Sequence, residues 1–244
     1  MRHALLIPAR DAAASILDVL EGVCASTDGL LTPRECWVVD DGSRDGMGLL
    51  VRAFGANLIA HERSFGKGAA LRTGLARLIA EGFDGALCLD ADGQHDPASA
   101  RTFLERAERG DVDLLCGNRM ADLRAMPWAR RLSNRMTSWV VSRAIGVRIE
   151  DSQCGYRWVR LSAIAPLTLR TSHFETEGEV LLKLGQSGAR IASVPIPTVY
   201  DATGPSFMRP ARDTIRFVAM YWRCVFGADR PSRRAPVNSA LEAR

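Results

Sequence analysis

Several large classes of protein are excluded by what this chain lacks. Nowhere in its 244 residues is there an uncharged apolar run of about 18 residues, so no transmembrane helix is expected. No G-x-G-x-x-G follows the first apolar run, and no G-x-x-x-x-G-K-[ST] occurs. The dinucleotide fingerprint and the P-loop are therefore disfavoured, and phosphates would have to be held another way. The six cysteines (Cys24, Cys36, Cys88, Cys116, Cys154, Cys224) form no C-x-x-C pair and mostly sit in apolar segments, as reduced core thiols do. A strand-like run begins at His3 with no signal-peptide pattern before it. The expected location is cytoplasmic, or peripheral at a membrane. No internal repeat is visible. Lysine is nearly absent: of 32 basic residues only Lys67 and Lys183 are lysines, which makes Lys67, bracketed by Gly66 and Gly68, informative.

The remaining composition is that of a soluble globular protein, 47% hydrophobic and 25% charged, with net charge +4. The charge is uneven. Residues 119–149 hold Arg119, Arg124, Arg130, Arg131, Arg135, Arg143 and Arg148 against one acid, Asp122. Residues 207–226 hold Arg209, Arg212, Arg216 and Arg223 against Asp213. Either segment can meet an anionic partner. The basic region lacks aromatics interleaved on a sheet face, so nucleic acid is not the expected partner.

The first half alternates short apolar runs with helical periodicity. Strands are expected at 4–7, 35–39, 57–60, 86–89 and 113–116, and helices at 12–25, 45–54, 68–81 and 96–108. This rhythm predicts an α/β fold with a mostly parallel sheet and helices on both faces. Further helices are expected at 130–145, 176–186 and 213–226, the last one amphipathic. Residues 191–200 read as extended, and Pro195 and Pro197 imply an edge or a bulge. The expected organisation is a catalytic domain over 1–212, a C-terminal amphipathic helix over 213–227, and a disordered tail over 228–244.

In parallel sheets ligands sit beyond the carboxyl ends of the strands, and four polar clusters follow such ends. They are Pro8-Ala9-Arg10, Asp40-Asp41-Gly42-Ser43, Asp90-Ala91-Asp92 and Gly117-Asn118-Arg119. Asp90, Asp92 and the neutral oxygen of Gln94 suit a hard divalent cation such as Mg²⁺ or Mn²⁺, with positions left open for substrate phosphates. Asp96-Pro97 reads as an N-cap and first helical residue. Asp40 and Asp41 can accept hydrogen bonds from a ribose or a base edge. Lys67, just before a helix, favours an anion.

Taken in order, Pro8, Val39-Asp40-Asp41-Gly42-Ser43, Gly66-Lys67-Gly68, Asp90-Ala91-Asp92-Gly93-Gln94, Gly117-Asn118-Arg119, residues 151–157 (DSQCGYR), Phe174-Glu175-Thr176-Glu177 and Val194-Pro195-Ile196 resemble the inverting family-two glycosyltransferases of the GT-A fold. The resemblance is to the dolichol-phosphate mannose synthase-like, polyprenyl-phosphate branch. It implies a GT-A-like sheet, a nucleotide-diphosphate sugar donor (GDP- or UDP-linked) and a polyprenyl phosphate acceptor. Pro8, Arg10, Asp40 and Asp41 would contact the nucleoside. Lys67 and Asp90-Ala91-Asp92 would lie on the donor, with Asp90, Asp92 and Gln94 as metal ligands. Arg119, Arg131 and Asn134 would hold the acceptor phosphate, and Asp92, Arg119 and Arg131 would carry the catalysis. Arg209 and Arg212 would belong to a closing loop. Ala9-Arg10-Asp11 replaces the aromatic, asparagine and glutamate common in the family, which leaves the donor base open. A hydroxyl acceptor would instead require a base, with Glu175, Glu177 and Glu179 as candidates. The other readings are a sugar nucleotidyltransferase and an inactive nucleotide-sugar-binding protein.

Overall fold

The computed structural model describes residues 1–121, 126–197 and 210–227. Seven strands form one sheet in the order β3-β2-β1-β4-β6-β5-β7. They are β1 (His3–Ala9), β2 (Cys36–Asp40), β3 (Asn57–Ala60), β4 (Gly85–Cys88), β5 (Leu114–Asn118), β6 (Arg157–Arg160) and β7 (Ile191–Pro195). The helices are α1 (Ile16–Ser26), α2 (Met47–Phe54), α3 (Lys67–Ala80), α4 (Ser99–Glu108), α5 (Trp128–Ile145), the single turn α6 (Leu161–Ile164), α7 (Glu175–Gln186) and α8 (Pro210–Phe226).

Alternation along β1 builds both layers. Leu5 and Ile7 pack with α1, α2 and α4 on one face, while Ala4 and Leu6 pack with α3, α6, α7 and α8 on the other. A sheet buried on both faces needs near-continuous apolar strands, and β1 and β4 are buried throughout. β7 lies at the sheet edge, where its prolines were expected.

The structure bears out the mostly parallel sheet, adds the direction of one strand and corrects two helix starts. β6 runs antiparallel to both β4 and β5, the one break in an otherwise parallel sheet. The preceding loop is tied to the end of β5, where Gly117 N–H donates to the Tyr156 carbonyl at 2.8 Å and Asn118 bonds Glu150, so β6 enters from that edge. α1 starts at Ile16 rather than at residue 12, because Asp11 has φ 49° and its carboxylate accepts the Arg44 N–H at 2.9 Å. α4 starts at Ser99. Asp96 Oδ1 closes a turn on the Ala98 N–H at 3.0 Å and its carbonyl accepts the Ser99 N–H at 3.1 Å, so the regular helix begins two residues after Pro97. α8 begins at Pro210 and packs on α7 through Met220 and Phe217 against Gly178, so it belongs to the same layered body. The expected tail over 228–244 lies outside the described residues.

Candidate functional site

All parallel strands end at one edge, and the loops following β1, β2, β4 and β5 gather there. The first two loops are cross-linked. Asp11 N–H donates to Ser43 Oγ at 2.9 Å, and Ala13 N–H donates to Asp45 Oδ2 at 2.7 Å. Pro8 is buried within β1, Arg10 is exposed beside Asp11, and Asp40 Oδ1 accepts the Ser43 N–H at 2.8 Å. Asp41 departs from the expectation of nucleoside contact. It is buried, and its oxygens accept from Ser64 Oγ, from the Phe65 and Gly66 N–H groups and from His61. Burial raises its pKa, but these bonds outweigh it and hold the carboxyl below its ordinary value. Asp41 therefore shapes the loop that delivers Lys67, rather than facing the cleft.

Lys67 opens α3. Its Nζ lies 2.6 Å from Asp90 Oδ1 and 2.7 Å from Glu177 Oε1. The flanking glycine is needed for this approach: a Cβ at Gly68 would fall 1.8 Å from Thr176 Oγ1, closing the space between α3 and α7. Gly155 likewise lets Asp90 in, since a Cβ there would meet Asp90 Oδ2 at 2.7 Å. Burial pushes Asp90 upward, but Lys67, with His95 and Arg119, prevails and leaves it below the usual carboxylate range. Burial works against charge on Lys67 too, and Asp90 and Glu177 reverse it. Asp92 is exposed and spends Oδ1 on the Gln94 N–H at 3.0 Å; Ala91 is buried between the two acids.

Among the described residues no three His, Cys, Asp or Glu side chains converge to cage a metal. The donors present fit a hard cation shared with a diphosphate. Asp92 faces outward with the Gln94 amide two residues on, and Asp90 lies behind them with its charge answered by Lys67.

The basic side of the cleft is organised by Asp151, a residue that sequence reasoning quoted within a motif but gave no role. Its buried carboxylate takes Arg119 in bidentate fashion, from Nε at 2.8 Å and Nη2 at 3.0 Å, and also Asn134 Nδ2 at 2.7 Å. Burial raises its pKa, and Arg119 together with Asn134 lowers it by more. Arg119 and Asn134 are thus brought together through Asp151. Arg131, on α5, donates from Nε to the Met126 carbonyl at 2.7 Å. Arg157 was also missed. Its buried guanidinium bonds the carbonyls of Ser152, Cys154 and Glu177 and pins the 151–156 loop to α7. A buried arginine after D-S-Q-C-G-Y leaves no periodic signal in a sequence. Of the candidate bases, Glu177 is paired with Lys67. Glu179 is buried on Lys183, Thr171 and the Arg170 N–H, and it serves structure. Arg212 is exposed on the first turn of α8, and Arg209 lies outside the described residues.

A family model described as "Glycosyl transferase family 2" matches residues 4–165. The chain is 31% identical over 168 residues to a UDP-N-acetylglucosamine–dolichyl-phosphate N-acetylglucosaminyltransferase of Methanococcus voltae, a match covering 67% of this chain and 66% of that protein. It is 27% identical over 185 residues to a polyprenol monophosphomannose synthase of Mycolicibacterium smegmatis, covering 70% of this chain and 69% of the other. With a dodecaprenyl-phosphate galacturonate synthase of Rhizobium johnstonii the match covers only 49% of the relative. The chain therefore spans between half and about two thirds of these relatives' length. Among solved structures, glucosyl-3-phosphoglycerate synthase of Mycobacterium tuberculosis, in complex with Mn²⁺, UDP and glucosyl-3-phosphoglycerate, superposes with TM-score 0.70 at 18% identity, over 93% of this chain and 81% of that one. The architecture is the GT-A fold.

Proposed function

This chain belongs to glycosyl transferase family 2, and from that premise we propose that it transfers a sugar from a nucleotide-diphosphate donor to a polyprenyl phosphate, with inversion and with Mg²⁺ or Mn²⁺ on the diphosphate. One observation carries this reading. The Lys67–Asp90 side, with its outward Asp92, and the Arg119–Asp151–Asn134 side meet at a single strand-end edge. The first suits a diphosphate with its cation, and the second suits a second, anionic substrate. The names of the archaeal and mycobacterial relatives support a polyprenyl acceptor, and the neighbour crystallised with UDP and Mn²⁺ supports the donor class.

A phosphate monoester is already anionic at neutral pH, so the site needs to position it and stabilise charge, with no strong base. Arg119 and Arg131 hold the acceptor phosphate, with Asn134 fixing the Asp151 that orients Arg119. Pro8, Arg10 and Asp40 line the nucleoside side. Lys67 keeps Asp90 ionised next to the diphosphate. Asp92 and Gln94, with Asp90, would hold the cation, which when bound supplies Lewis-acid stabilisation of the leaving nucleoside diphosphate. A lipid acceptor brings the chain to a membrane surface as a peripheral protein. One detail favours a second reading, a hydroxyl acceptor: Glu175 Oε2 is buried without a hydrogen-bond partner, as a base awaiting its substrate would be.

The test is a screen of labelled UDP- and GDP-sugars against polyprenyl phosphate and soluble hydroxyl acceptors, with Mn²⁺ or with chelator. A lipid-linked sugar formed only with the cation is the expected product. Turnover with soluble hydroxyl acceptors alone overturns the lipid reading, and sugar-1-phosphate formed together with nucleoside triphosphate only when inorganic pyrophosphate is added would indicate a nucleotidyltransferase. Binding without turnover of any kind would leave an inactive nucleotide-sugar-binding protein.

A further inference from the structure

Helix α5 is amphipathic in the wrong sense for a helix facing water. Its inward face is polar over the first turns and apolar only toward the C-terminal end, where Val141 and Ile145 join the core. Asn134 and Ser138 are buried, Ser138 Oγ bonds Ser152 Oγ at 3.1 Å, and Ser142 Oγ accepts the Ile149 N–H at 2.9 Å. Its outward face carries Trp128, Leu132, Met136 and Trp139, between 58% and 76% exposed. At 3.6 residues per turn these four fall within an arc of roughly 80°. Helix α8 repeats the arrangement with Ile215, Val218, Trp222 and Phe226, between 47% and 70% exposed, in an arc of similar width. Both helices pack on α7, with Ile145 of α5 against Gly185 and with Met220 and Phe217 of α8 against Gly178. Two long apolar stripes thus flank one buried helix, and isolated surface hydrophobics do not explain them.

Charge decides what covers them. Arg135 and Arg143 are exposed on the same face of α5 as the apolar stripe, and the helix has no acidic residue. A second copy docked on this face would set arginine against arginine. An anionic bilayer accepts both components, apolar side chains and tryptophan rings at headgroup depth and guanidinium groups on the lipid phosphates. We propose that the outward faces of α5 and α8 form a surface that inserts into the headgroup region of an anionic membrane, with α5 as the principal element. This deepens the acceptor reading and rests on it for its purpose. The inner face of α5 supplies Asn134 to the Arg119–Asp151 cluster, so about one helix diameter, roughly 10 Å, separates lipid from acceptor site.

The experiment needs no sugar donor and no polyprenyl phosphate, so its outcome is independent of the transferase screen. The full chain is sedimented with phosphatidylcholine vesicles that contain or lack phosphatidylglycerol, at low and high salt. Partitioning is expected only with the anionic lipid, weakened by salt, and at least tenfold lower in the Trp128→Ser/Trp139→Ser double variant. Brominated lipids give a second readout on the unaltered protein. Trp37 and Trp158 are buried, so quenching reports Trp128, Trp139 and Trp222. The proposal is overturned by absence of vesicle binding at low salt, by unchanged partitioning of the folded double variant, by unquenched emission on bound vesicles, or by a dimer that the same substitutions dissolve in a protein that ignores lipid.

Discussion

Replacing Lys67 with methionine isolates the electrostatics of the cleft. The ammonium sits 2.6 Å from Asp90 and 2.7 Å from Glu177, and the three side chains are 19%, 24% and 15% exposed. Methionine keeps the volume and removes the ammonium that bridges the two carboxylates. Breaking a buried pair by removing one partner costs about 3–5 kcal/mol, and residual exposure puts this case near the lower figure, about 3 kcal/mol. For a chain of this size that is a loss of roughly 6–12 °C in Tm. The pH dependence gives the sharper signature. Asp90 is held below its ordinary value in the native state, so its contribution is present above the unfolded carboxylate range near ~3.9 and is lost as pH falls through the folded value. Without Lys67, burial and the facing Glu177 charge drive the Asp90 pKa up, and stability then declines as pH rises through that higher value. Urea titrations of both proteins should show a stability gap that widens as pH rises above the unfolded carboxylate range near ~3.9. A gap under about 1 kcal/mol that does not change with pH would refute the argument, because it would mean that solvent already screens the pair.

Asp92→Ala should leave the melting temperature nearly unchanged, since the side chain is exposed, yet abolish cation-dependent donor turnover and weaken Mn²⁺ binding measured by electron paramagnetic resonance with nucleoside diphosphate present. Arg131→Ala should raise the acceptor KM with donor affinity nearly constant, and equal loss of donor affinity in calorimetry would move Arg131 to the diphosphate. Asp151→Asn removes the charge that holds Arg119 at 2.8 and 3.0 Å; about 2–3 kcal/mol of stability and a tenfold or greater loss of acceptor kcat/KM are expected, by denaturant melts and steady-state kinetics. Asp41→Asn turns an amide toward the Phe65 and Gly66 N–H groups, both at 2.8 Å, and should cost about 2–3 kcal/mol in urea melts at neutral pH, a difference that shrinks as pH falls through the depressed value of the native carboxyl.

The layered α/β fold and the edge where chemistry gathers were legible in the sequence because they depend on local pattern. Apolar runs such as residues 4–7 and 86–89 cannot be left in water, and helical periodicity between them forces parallel strands with their ends on one side. The glycines around Lys67, and Asp90 and Asp92 at a strand end, are local signals as well. Tertiary structure decided which charges meet. Asp41 and Asp40 are neighbours in sequence at a strand tip, yet one closes on the 61–66 loop and the other does not. Lys67 finds Glu177 across 110 positions, and Arg119 finds Asp151 across a reversed strand. Such pairings depend on distances set by packing between helices and strands far apart in the chain, and no spacing along one segment encodes them. The same reason hid the character of α5. Its periodicity announces a two-faced helix, but only the position of the polar Asp151 cluster determines that the apolar face points out.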